Sequence, residues 1–343
     1  MEDAHIVEPD VDGKGGGVFG VFDGHGGKEV ALFVAKHLRE VLLKQDAYTR
    51  GDIAQALIET YVGLDELMLK PASLRELRAL RGSDNDDMMV NRVVQMSMML
   101  AKKSEAEGSD PDAAITLDAL HSSLLRAQEG GGSGDGVGGD AANGAGAGGA
   151  GAEGHEDDDE DVDGEYPNAG CTAVCAAVIG GQIVVANSGD SRAVLCRGGR
   201  AVALSRDHKP TDDDEFARIL KAGGVVLEGR VNGSLNLSRA LGDMEYKQNP
   251  DLPPAEQMVT AVPEIKTEAV QPEDEFLIIA CDGIWDVLEN QEAVDFVRER
   301  LQRGEKPAAI CEAMCDHCLA PDTQGIGKGC DNMTAMVVVL KKK

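Results

Sequence analysis

Positive charge is scarce in this sequence. Lys and Arg number 33 against 61 Asp and Glu, a formal net charge of -28. Non-specific attraction to nucleic acid or to an anionic membrane rests on clustered cations, so neither is an expected partner. Metal ions and basic proteins suit the charge better. Long apolar runs are missing too, since none approaches the roughly 20 residues that span a bilayer. The opening residues, MEDAHIVEPD, hold neither the basic region nor the hydrophobic stretch of a secretion signal, which points to the cytosol or nucleus. A zinc knuckle shows two CxxC pairs set around turns. Here Cys311, Cys315 and Cys318, with His317 and Cys330 nearby, fall at spacings of four and three. Those spacings place the three sulfurs on one helical face with Ile310 and Met314, as small core residues lie.

What is present is a hydrophobic fraction of 42% over 343 residues, enough to bury a substantial core in one large domain or two ordinary ones. Ala31, Val34, Ala35 and Leu38 share a helical face, and Ile53, Leu57, Ile58 and Tyr61 repeat the spacing. Pro71 is expected to end this unit, residues 1–70. Residues 71–165 read as an insertion. One helix is expected around Met89, Val93, Met96 and Leu100. A second is expected from Asp110 and Pro111 through Ile115 to Leu125.

From Glu129 to Glu165 the chain is Gly/Ala-rich and then acidic, with twelve acidic residues and no Lys or Arg. Such a segment buries too little apolar surface to offset its ordering entropy and should be disordered. Removing those twelve charges from -28 leaves -16, so the remainder is acidic as well. The run serves either as a solvated spacer or as a docking surface for basic proteins. Residues 166–343 resume with short Val-, Ile- and Ala-rich strands punctuated by Gly-Gly and Ser-Gly-Asp, the texture of antiparallel hairpins. Helices are expected at Asp212–Ala222, Gln291–Gln302 and Lys306–Cys318, with strands at Glu275–Cys281 and Met333–Leu340. The simplest account is one α+β domain interrupted by the insert, with helices outside antiparallel sheets.

Four strand-associated sites carry the same residue type: Asp23 after VFGVF, Asp190 after IVVANSG, Asp282 after FLIIAC and Asp331 just before NMTAMVVVL. Turn chemistry explains any one of them. Four, joined by Asp286 and by Glu2 and Asp3, are harder to explain that way. Oxygen-only donors suit Mg²⁺ or Mn²⁺ rather than zinc. Two such ions roughly 3.5–4 Å apart acidify a bridging water and hold the charged oxygens of a phosphate ester. His25, two residues after Asp23, is suited to protonate the leaving alkoxide. The string GHGGK fails the nucleotide-binding pattern GxxxxGK[ST], because Phe22 stands at the first glycine position and Glu29 follows Lys28. Gly24 instead lets a backbone carbonyl approach a metal, while Gly26 and Gly27 let the chain turn into a helix.

The strings MEDAH, VFDGHGG, GCTA, ANSGDSR, DHKP, NGSLNLSRALGD, ACDGIWDV and DNMT occur in order across nearly all the chain outside the insert. In them the sequence resembles the metal-dependent Ser/Thr protein phosphatases of the 2C family. The resemblance implies a four-layer αββα sandwich of two antiparallel β-sheets flanked by helices. It also implies a monomeric enzyme that hydrolyses phosphoserine and phosphothreonine in phosphoproteins without a covalent phosphoenzyme. Carried over by motif, Asp23, Asp282 and Asp331 hold two metals, Gly24 lends a carbonyl and Glu2 acts through water. Asp190 and Asp286 join Asp282 at a weaker third metal position, His25 is the general acid, and Asp3 supports the site. Ser205–Gly224 corresponds to a flap that influences substrate choice.

Two departures stand out. An arginine a few residues before MED, which binds the substrate phosphate, and an accompanying first strand belong to the pattern, and this chain starts at Met1 with neither. Either the sequence is truncated or phosphate is held by the metals alone, and weaker substrate binding than in a complete domain is expected. The insert resembles, in position and acidity, that of the gamma-type member. A pseudophosphatase that binds partners through the same fold is the alternative function.

Overall fold

The computed structural model describes residues 1–82, 168–321 and 327–340. Alternating apolar residues build two antiparallel sheets. The first takes β1 (Ala4–Glu8), β2 (Gly17–Phe22), β5 (Ala173–Ile179), β6 (Gln182–Ser188) and β12 (Glu264–Ala269), in the order β1-β2-β5-β6-β12. The second takes β14 (Ala335–Val339), β13 (Asp274–Ala280), β7 (Arg192–Arg197) and β8 (Arg200–Ala203), in the order β14-β13-β7-β8.

Strand periodicity decides what each face meets. Along β13, Leu277 and Ile279 join Val174, Ala176, Ile183 and Val185 of the first sheet in the core between the sheets. Phe276, Ile278 and Ala280 face the other way, against Val294, Val297, Ile310 and Met314. Those last four belong to two outer helices, Asn290–Gln302 and Pro307–Cys318. On the far side of the first sheet, Ala173, Cys175 and Ala177 pack with Phe33, Val34 and Leu38 of α1 (Glu29–Lys44) and with Leu57, Tyr61 and Leu64 of α3 (Ile53–Met68). The layers run helix, sheet, sheet, helix, which is the expected αββα sandwich. Among the described residues no helix is long and apolar enough to cross a membrane.

One side chain ties an outer layer to the backbone of the sheet beneath it. Tyr61 is fully buried, and its hydroxyl donates to the Ala186 carbonyl at 3.0 Å, with the Ala173 carbonyl at 3.3 Å. Tyr61→Phe is expected to cost about 1–2 kcal/mol, read as a lower urea midpoint at unchanged m-value. An unchanged midpoint would mean that water satisfies those carbonyls equally well.

The boundary expected at Pro71 is displaced. Proline is tolerated in the first turn of a helix, where its missing N–H costs no intrahelical bond. Pro71 accordingly opens a further helix, Pro71–Arg81, rather than closing the unit. Leu74 and Leu77 of that helix are buried in the same core as α1, and Met1–Arg81 with Gly164–Lys343 form one unit. The two insert helices and the acidic run lie outside the described residues. The cysteine reading matches the packing: Ile310, Met314 and Cys318 are buried, and Cys311 and Cys315 pack against the same cluster.

Candidate functional site

The expected carboxylates gather because several strands end on the same side of the sandwich. Strands β2 and β6 both pair antiparallel with β5, so they run in the same direction. Asp23 and Asp190 therefore leave the first sheet at one edge. In the second sheet, the end of β13 adjoins the start of β14 through the pair Ala280↔Ala335, which brings Asp282 beside Asp331 and Asn332. The two sheets are linked there by the N-terminal segment. The Glu2 amide donates to Asn332 Oδ1 at 2.7 Å, and Thr334 Oγ1 donates to Asp3 Oδ2 at 2.6 Å. Two glycines are required by this closeness. A Cβ at Gly24 would collide with the Glu2 carbonyl oxygen, and one at Gly283 with the Asn332 carbonyl oxygen.

Ligand atoms of Asp23, Cys281 and Asp282 lie within 4.8 Å of one another. The electrostatics are those of crowded negative charge. Burial, then the charges of Asp282, Asp3 and Asp190, push the Asp23 carboxyl up to about 9. Burial, then Asp190, Asp331 and Asp286, push Asp282 up to about 6. Asp190 is buried and raised by that burial, although Lys209 Nζ donates to its Oδ2. Asp331 and Asp286 are solvent-exposed members of the group.

Two oxygens, Asp282 Oδ1 and Asp3 Oδ1, are buried without a hydrogen-bond partner. Buried carboxyl groups that crowd one another, Asp23 and Asp282 close enough to share a hydrogen bond, call for added positive charge. Divalent cations with oxygen preference fit this donor set.

Three participants were not assigned roles from the sequence. Cys281 accepts from the Thr334 amide at 3.1 Å, and its thiol donates to the Asn332 carbonyl at 3.4 Å; burial pushes that thiol strongly up. Lys209, within DHKP, supplies the cation at Asp190. Asp243, within ALGD, places Oδ2 2.7 Å from His25 Nε2. Burial lowers the affinity of His25 for a proton, but the hydrogen bond and charge of Asp243 outweigh it and raise the imidazole pKa overall. The only signal for Lys209 and Asp243 was membership of a matching string.

The segment expected to form the flap carries a helix, Asp213–Lys221, anchored by a buried charge network. Glu215 is fully buried and accepts from Arg239 at 2.6 and 2.9 Å and from Arg218 at 2.6 Å. Burial alone would raise its carboxyl, yet the arginines hold it down at about 2. Arg206 reaches Glu264 at 2.7 Å and also pairs with Asp214.

Known proteins resemble this chain over most of its length. The family model "Protein phosphatase 2C" matches residues 1–93 and 147–326. "Probable protein phosphatase 2C 11" of Oryza sativa subsp. japonica is 40% identical over 342 residues, covering 100% of this chain and 82% of that protein. "Protein phosphatase ppm-1.G" of Caenorhabditis elegans is 55% identical over 173 residues, 50% of this chain and 35% of that protein. The crystal structure of serine-threonine phosphatase 2C from Toxoplasma gondii superposes with a TM-score of 0.62 at 19% identity, covering 99% of this chain and 90% of that one. On the strength of the family match and of near full-length identity to its members, the chain belongs to the protein phosphatase 2C family, the metal-dependent phosphatases of protein serine and threonine residues.

Proposed function

We propose that Asp23, Asp282 and Asp331 hold two divalent cations, Mg²⁺ or Mn²⁺, and that Asp190 and Asp286 join Asp282 at a weaker third position. Gly24 lends its carbonyl, Glu2 acts through water, and Asp3 steadies the N-terminal segment. The observation that carries this reading is the convergence of Asp23 and Asp282, with ligand atoms within 4.8 Å of each other, at a spot also charged by Asp190, Asp331 and Asp286. When bound, the cations supply Lewis-acid charge to phosphate oxygens and lower the pKa of water.

His25 gives its proton to the serine or threonine oxygen as the ester bond breaks, with Asp243 beside it. Lys209 keeps Asp190 in place through their ion pair. The acidic run Glu129–Glu165 suits basic phosphoproteins as substrates or partners. Buried thiols used as small core residues, among them Cys175 and Cys196, suit a cytosolic or nuclear setting.

The test is phosphate release from a phosphothreonyl peptide during titration with Mn²⁺. Release should be absent in chelator and should return with added ion. Binding of the peptide without any turnover would instead favour the pseudophosphatase. A second expectation concerns His25. His25→Ala should lower kcat on the peptide by about 100-fold, the usual range for general acid catalysis, and lower it far less on p-nitrophenyl phosphate. A phenolate leaves readily without a proton, whereas an alkoxide does not. Equal losses on the two substrates would remove His25 from the acid role.

A further inference from the structure

We infer that Asp243 is the positioning residue of His25, holding Nε2 so that Nδ1 delivers the proton, and that Asp65 of α3 holds Asp243 in turn through Gly242. The inference rests on the reading of His25 as general acid and adds which ring nitrogen acts and what fixes the ring.

Asp243 begins a 3-10 turn, Met244–Tyr246, but its carboxylate does not cap it. Turn chemistry, the ordinary use of an aspartate here, is therefore not what occupies the side chain. Its Oδ2 lies 2.7 Å from His25 Nε2, and the residue is only 6% exposed. A ring whose Nε2–H donates to Asp243 has one nitrogen left for a leaving group, Nδ1.

The backbone of Asp243 is in the left-handed region, at φ 49 and ψ 44. Such a conformation in a non-glycine residue persists where its surroundings over-determine it. Here the Asp243 amide donates to the Ala169 carbonyl at 3.0 Å, and the Asp243 carbonyl accepts from the Tyr246 amide at 3.0 Å. One residue earlier, the Gly242 amide donates to Asp65 Oδ1 at 2.9 Å. The other oxygen of Asp65 accepts from Lys247 Nζ, which also donates to the Ala240 carbonyl at 2.8 Å. A carboxylate on α3 thus pins both ends of the turn that carries Asp243.

Space for the dyad comes from Gly170, which is paired with both His25 and Gly242. A Cβ at Gly170 would strike the Asp243 carboxylate and lie 2.7 Å from His25 Nε2. In the step itself the ester P–O bond breaks with its electron pair passing to the serine or threonine oxygen, which takes the Nδ1 proton. The imidazole keeps Nε2–H on Asp243. It regains a proton at Nδ1 from the one released by the attacking water as its oxygen bonds to phosphorus.

The experiment compares the full chain with His25→Ala, Asp243→Asn, their combination and Asp65→Ala. Each is assayed in Mn²⁺ on a phosphothreonyl peptide and on p-nitrophenyl phosphate. Asp243→Asn should lower kcat on the peptide by about 10- to 100-fold with little change in KM, and lower it far less on the aryl ester. In the His25→Ala background it should add almost nothing, as expected of residues acting as one unit. Asp65→Ala should show the same split to a smaller degree.

Equal losses on both substrates for Asp243→Asn, or a full further loss in the combination, would overturn the inference while leaving a split His25→Ala result intact. Equal losses for His25→Ala would overturn the general-acid reading beneath it, and this inference with it. Should Asp243→Asn fail to fold, the absence of the split in Asp65→Ala overturns the inference in its place.

Discussion

Asp282→Asn is expected to lower turnover on a phosphothreonyl peptide by about 1,000-fold or more and, in chelator, to raise the melting temperature. The two effects have one cause. Asp282 sits where burial and the charges of Asp190, Asp331 and Asp286 hold its carboxyl well above the ordinary range, and it raises Asp23 in turn. Without compensating cations, this crowding opposes folding, so an isosteric amide relieves repulsion. With cations, the same carboxylate is a ligand, so its loss removes both binding and chemistry. Relief of about 1 kcal/mol corresponds to about 2–4 °C for a domain of this size. Parallel melts in chelator and in Mn²⁺ should show the variant above the wild type in the first condition and below it in the second. A variant that melts lower in both, with turnover retained, would show that Asp282 is a structural residue.

Acid should destabilise the charge network beneath the candidate flap. His208 is fully buried, with Nδ1 against the Gly189 backbone and Nε2 without a hydrogen bond, 3.6 Å from Glu264 Oε2. Burial first, then the Arg239 charge, lowers its pKa to about 4. Arg206, Glu215 and Glu264 also face it. The unfolded chain binds a proton at this histidine near pH 6.5, while the folded chain does so only near pH 4. Between those values the unfolded state holds more protons. The stability contribution is complete above pH 6.5 and is lost as pH falls toward 4, up to about 3 kcal/mol. Glu215, held at about 2, adds a further loss below its ordinary value.

The raised carboxylates of the candidate metal centre work in the opposite sense, favouring the folded state at low pH in chelator. The difference between wild type and His208→Gln cancels that contribution. Urea midpoints from pH 7 to 4.5 should fall more steeply for the wild type than for His208→Gln. Parallel curves would mean that His208 binds its proton as readily in the folded protein as in the unfolded chain.

Much of this architecture could be read from local pattern. The expected helices at Gln291–Gln302 and Lys306–Cys318 form at Asn290–Gln302 and Pro307–Cys318, because their apolar spacing matches the surface they bury. The carboxylates were visible for a related reason. Asp23, Asp190 and Asp282 each follow an apolar strand, and strands of a two-sheet core end together at its rim.

What was hidden depends on contacts distant in sequence. Asp243 meets His25 across 218 residues of chain, and apart from the string that it ends nothing around Asp243 distinguishes it from a turn aspartate. Pro71 misled because proline marks a helix start as readily as a stop, and only the burial of Leu74 and Leu77 decides between them. Cys281 was read with the strand, yet its sulfur lies beside the carboxylates through its hydrogen bonds to Asn332 and Thr334.

The most direct test of the candidate metal centre is calorimetric Mn²⁺ binding measured beside phosphate release from one phosphothreonyl peptide, in wild type and in Asp282→Asn. Release should be nil in chelator, should rise with the same Mn²⁺ dependence as binding, and should vanish together with tight binding in the variant. Undiminished release in chelator, or tight Mn²⁺ binding preserved in Asp282→Asn, would contradict the assignment of this carboxylate cluster as the metal centre.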